Sequence, residues 1–102
     1  MVISFDTRSL RELCEVELVA RAEFGDQVAE EVFTHLADLD AAETLFEVPT
    51  IDPDIDDKDY VHIHLINGSE LVFKCGHSRP PLREDGRVDW ALVKRIKIMA
   101  VG

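Results

Sequence analysis

The period of the apolar pattern changes part-way along the chain, and this constrains the fold more than any other feature. Val28, Val32, Phe33, Leu36 and Leu39 recur at three and four residues, with Glu30, Glu31 and Asp38 on the other side. That is the stripe of an amphipathic helix. From Tyr60 the pattern alternates instead: Val61, Ile63 and Leu65, then Leu71 and Phe73. Alternation at period two is the pattern of a half-buried strand. A helical first half followed by a strand-rich second half predicts an α+β domain spanning residues 1–102.

Local signals divide the chain further. Val2–Phe5 alternates and ends at Asp6-Thr7, which predicts a short strand followed by a helix cap. A helix is expected over about 8–22, closed by Phe24-Gly25, with Asp26 capping the next. Asp40–Phe46 adds a turn or two. Residues 47–59 carry Pro49, Pro53 and five aspartates and read as a solvated, mobile acidic loop. Residues 76–88 are an irregular excursion, Asp89 caps a single turn through Trp90 and Val93, and 94–101 is a final strand. Trp90 is expected to anchor the core, since apolar neighbours surround it.

Between the alternating runs lies Asn67-Gly68-Ser69. Val61, Ile63 and Leu65 must share a face with Leu71 and Phe73 if the sheet has one core side. Residues directly opposite one another share a face. An odd loop keeps the apolar set together, so a three-residue loop is expected, with Gly68 at positive φ. The open face then carries Tyr60, His62, His64, Glu70, Val72 and Lys74, joined by Arg95 and Lys97.

Composition limits the classes of function. The net charge of −10 is unevenly spread: residues 1–73 hold 18 acids and 4 bases, residues 74–102 hold 3 acids and 7 bases. The acidic part repels phosphates and suits a basic partner. No apolar run reaches the roughly 20 residues of a membrane span, and the first residues lack a signal pattern. Cys14 and Cys75 form no metal spacing and read as two buried thiols. A cytoplasmic protein is expected.

Three constellations carry candidate chemistry. His62 and His64 share a strand face with Lys74, which suits an acid/base pair with cationic support. His62, His64 and Glu70 are an alternative metal set, and a polar outer face explains the same residues without chemistry. Arg79, Arg83 and Arg87 recur at every fourth residue and, with Glu70, Arg95 and Lys97, are the candidate RNA- or partner-binding residues. Asp52-x-Asp54-x-Asp56 resembles the start of a calcium loop, but Asp57 stands where glycine is needed and Ile63 where glutamate is needed. Neither a metal nor a cofactor is expected.

The order Leu71-Val72-Phe73, Pro80-Pro81-Leu82-Arg83-Glu84-Asp85-Gly86, Asp89-Trp90 and Ile96-Lys97-Ile98 resembles the end of HigB-type toxins of the RelE/ParE toxin–antitoxin superfamily. The first half matches more loosely through Ile3-Ser4-Phe5, Phe24-Gly25 and Ala41–Leu45. The resemblance implies two N-terminal helices packed on a small twisted antiparallel sheet. It also implies a ribosome-dependent mRNA endonuclease held by an antitoxin protein, commonly of the helix-turn-helix type. This chain departs from the pattern: Glu70 stands where relatives carry arginine, 52–59 is acidic where they carry a basic loop, and the acidic-aromatic-histidine tail is missing. Metal-free RNA cleavage needs cationic stabilisation of the phosphorane. The expectation is a toxin-like, antitoxin-binding chain with the endonuclease weakened or lost. The alternatives are an active ribosome-dependent enzyme using His62, His64 and Lys74, and a non-enzymatic antitoxin-binding regulator.

Overall fold

A computed structural model describes residues 1–48 and 51–102. The expected acidic loop is therefore described except at Pro49 and Thr50, which lie outside those residues.

The chain begins with β1 (Val2–Phe5) and continues through α1 (Arg8–Glu15), α2 (Glu17–Phe24) and α3 (Asp26–Ala41). Then come β2 (Asp54–Ile55), β3 (Val61–His64), β4 (Glu70–Cys75) and β5 (Arg95–Val101). The α+β class holds. Two features of the expected architecture do not. The sheet is mixed, in the order β1-β5-β4-β3-β2, because β1 runs parallel to β5. The helices number three among the described residues, because the segment expected as one helix over 8–22 breaks at Val16, whose backbone is extended.

The break follows from the pattern of burial. Leu10 and Cys14 are the buried residues of α1. An unbroken helix would next turn Glu17 and Leu18 toward the core. With the break, Ala20 is buried instead and Leu18 is left 82% exposed. Thr7 caps α1 by accepting the Leu10 N–H at 3.1 Å. Gly25 sits at φ 80° between α2 and α3 and takes the N-cap place expected of Asp26, which is the first residue of α3. Arg21 ties the two helices by donating to Glu17, Asp26 and Glu30.

The helices cover one face of the sheet. Val61, Ile63, Leu71, Phe73, Ile96 and Ile98 are buried against Val28, Val32, Leu39 and Leu45 in one continuous cluster. Trp90 closes this core, its ring edge-on to Phe73 at 6.1 Å, as expected of an anchor. Cys14 is buried, which pushes its thiol up to about 11, whereas Cys75 is only half-buried.

The hairpin keeps the expected parity in a different register. Val61 pairs with Phe73 and Ile63 with Leu71. The three-residue loop is Ile66-Asn67-Gly68, closed by Leu65 N–H donating to the Ser69 carbonyl at 2.7 Å. Both Asn67 and Gly68 have positive φ. A slip of two residues leaves every side chain on its own face, so parity alone could not distinguish the registers. Glu31 of α3 accepts the Ile66 N–H, which pins the loop against the helix.

The described part of 47–59, residues 47–48 and 51–59, is not a free loop. Leu45–Glu47 forms a 3₁₀ turn, Val48 and Ile51 are buried, and Asp54–Ile55 adds β2 to the sheet edge.

Candidate functional site

The uncovered face of the sheet holds the polar residues, and alternation puts them there. Asp54 is opposite His62, His64 opposite Glu70, and Lys74 opposite Lys97. These residues form two groups of different character.

The first group centres on His62. Its Nε2 lies 2.9 Å from Asp56 Oδ2 and its Nδ1 lies 2.7 Å from Glu70 Oε2. A carboxylate at each ring nitrogen makes both nitrogens donors, which is the imidazolium form. The hydrogen bond to Asp56, and then that to Glu70, raises the His62 pKa above its ordinary value. The Asp56 carboxyl is lowered in turn, chiefly by His62. Asp56 reaches this place through a local turn: its Oδ1 accepts the N–H groups of Lys58 and Tyr60 at 2.9 and 3.0 Å. An aspartate accepting the N–H two residues ahead is the Asx-turn arrangement. Asp59 completes the loop at positive φ. Its carboxylate accepts Arg87 Nε at 2.9 Å and the Val88 N–H at 3.2 Å, while Arg87 also donates to the Asp56 carbonyl at 2.7 Å.

The second group lies toward the other end of the same face. Lys58, Lys74, Lys97, His77, Ser78 and Asp59 line a cleft of about 450 Å³. His77 Nε2 accepts the Lys94 N–H at 2.9 Å and the Arg95 N–H at 3.3 Å, so its ring proton is on Nδ1.

These arrangements decide where the expected site residues fall. His62, His64 and Lys74 share a face but make no joint site. His62 is held at both nitrogens, His64 is exposed and 3.5 Å from Asp54, and no hydrogen bond or ion pair joins Lys74 to either among the described residues. A general base needs a free lone pair, and His62 has none while both carboxylates hold it. The alternative metal set of His62, His64 and Glu70 does not assemble, and no group of three or more potential ligands stands ready for a metal among the described residues. The arginines do not make one surface. Arg87 is tied to Asp59, Arg83 to Asp85 at 3.0 Å, and Arg79 is exposed. Arg95 is exposed beside Lys97, whose ammonium lies 3.6 Å from Asp6.

Asp56, Asp59, Lys58, His77 and Ser78 were not among the expected site residues. The run Asp56-x-Lys58-x-Tyr60 carried an Asx-turn signal that could have marked Asp56. No pattern in the sequence pointed to His77.

No protein-family model, curated protein or solved structure matches the chain. Among the described residues, no helix is long and apolar enough to cross a membrane.

Proposed function

We propose that this chain is a toxin-like component of a type II toxin–antitoxin module that acts in the cytoplasm by binding an antitoxin, with mRNA cleavage weakened or lost. The observation that carries the reading is the clamp on His62, because Asp56 and Glu70 occupy both nitrogens of the best-placed acid/base group. A phosphodiester approaching this ring meets two carboxylates, and Glu70 supplies negative charge where the reaction needs positive charge. The RelE-like identity rests on the order of motifs described above and on helices packed over one face of the sheet. The acidic first 73 residues favour an antitoxin with a basic segment.

Inducible expression of the chain alone in a bacterium tests this reading. The expected result is little growth arrest, together with a stable, salt-sensitive complex with the product of a neighbouring gene. Strong arrest relieved by that neighbour would overturn the loss of activity and favour an active ribosome-dependent enzyme. Growth without arrest and without any complex would overturn the toxin–antitoxin assignment itself.

A further inference from the structure

The lysine cleft goes beyond this reading and stands independently of it. Acids outnumber bases by 21 to 11, yet three lysines line one cleft. Lys74 and Lys97 are direct cross-strand partners on the same face. Like charges directly opposite each other are destabilising in a sheet. Their repulsion has little local relief. No carboxylate pairs with Lys58 or Lys74 among the described residues, and Lys97 has only Asp6 at 3.6 Å. Asp59, the single carboxylate lining the cleft, is engaged by Arg87 and by the Val88 N–H.

Neutral donors face the same space. His77 is fixed with its proton on Nδ1, and Ser78 adds a hydroxyl. Gly76 lets β5 pass close to the chain there: a Cβ at this position would stand 3.1 Å from the Ile96 backbone. Cations together with hydroxyl and imidazole donors match the oxygens of a phosphate group. A long polyanion fits poorly, because continuing across the sheet it would meet Glu70, Asp56 and Asp54. We infer that the cleft formed by Lys58, Lys74, Lys97, His77 and Ser78 binds the phosphate of a small phosphorylated ligand about the size of a mononucleotide.

The test is an NMR titration of the ¹⁵N-labelled full chain with orthophosphate, adenosine monophosphate, a short oligouridylate and sodium chloride. Saturable shifts of the Lys74, Gly76, His77 and Ser78 amides are expected with phosphate and the mononucleotide, at a Kd of about 1 mM or tighter. Lys74→Met combined with Lys97→Met should weaken binding at least about tenfold, as expected when charge-assisted contacts are lost. Arg8→Ala, on α1, should leave it unchanged. Lys74→Met alone should hold or raise the melting temperature, because it relieves repulsion. A lower melting temperature would mean that Lys74 serves the fold rather than a ligand, and would overturn the inference. So would silence at about 10 mM phosphate, equal shifts with chloride, or undiminished binding by the double variant. An oligouridylate bound more tightly than the mononucleotide would replace the small ligand with a nucleic-acid track.

Discussion

The two ends of the open sheet face treat charge in opposite ways. Around His62, two carboxylates enclose one imidazolium and the hydrogen-bonding capacity of the ring is used up. Around Lys74, cation stands opposite cation: Lys74 has no carboxylate partner among the described residues, and Lys97 has only Asp6 at 3.6 Å. Both groups arise from the same strand alternation. The difference comes from the segments that fold over each end: the Asx turn at Asp56 brings acid to His62, whereas the segment that follows β4 brings His77 and Ser78 to the lysines. A self-satisfied cluster suits structural anchoring, and an uncompensated one suits a ligand.

The largest effect should come from removing the core side chain beneath both regions. Phe73→Ala deletes a fully buried ring that packs on Trp90. Truncations of this kind cost about 3–5 kcal/mol. Chemical denaturation should show that loss, and the clamp and the cleft should fail together. Survival of the cleft's amide pattern in an otherwise unfolded variant would mean that the two regions do not share one core.

A smaller and one-sided effect is expected from Asp56→Ala. The change removes the first partner of His62 and the acceptor for two backbone N–H groups of the loop, those of Lys58 and Tyr60. The melting temperature should fall, because the imidazolium loses a partner and the loop loses its turn together. The His62 titration should move back toward the ordinary imidazole value. An unchanged titration would assign the raised pKa to Glu70 alone.

The clamp should also impose a pH dependence that the cleft does not share. His62 binds its proton more tightly in the folded chain than at the ordinary 6.5. Its contribution is therefore complete below 6.5 and is lost as pH rises through the raised folded value. Asp56 acts in the other direction: its lowered pKa supplies stability present above the ordinary 3.8 and lost as pH falls through its folded value. The melting-temperature gap between the native chain and His62→Gln should be widest in mildly acidic buffer, between these limits, and should shrink on the alkaline side. A gap that grows with pH would contradict the imidazolium assignment.

The subtlest change is Glu70→Arg, which moves net charge from −10 to −8. It places a guanidinium beside His62, so the imidazole pKa should drop. Ribosome or RNA association should rise modestly and become more salt-dependent, as added phosphate contacts require. Tight, salt-sensitive binding by the native chain would show that its cations already suffice for RNA.

The sequence by itself determined which side chains could face the core. The alternation of Val61, Ile63, Leu71 and Phe73 and the stripe through Val28 and Val32 were legible because burying apolar surface dominates folding and leaves a periodic trace. The open-face membership of His62, Glu70, Lys74 and Lys97 followed from the same parity. Tertiary structure alone decided which polar groups meet. The two-residue shift in hairpin register placed His64 opposite Glu70 without altering either face. The anchoring of 54–59 by Arg87 made a rigid acidic clamp from a stretch whose composition reads as a solvated loop. The parallel pairing of β1 with β5 depended on where the three helices return the chain. Polar partnerships are worth little individually and leave no period in the sequence. They are settled by register, turns and long-range packing, which is why the histidines were legible as neighbours and the carboxylates that hold His62 were not.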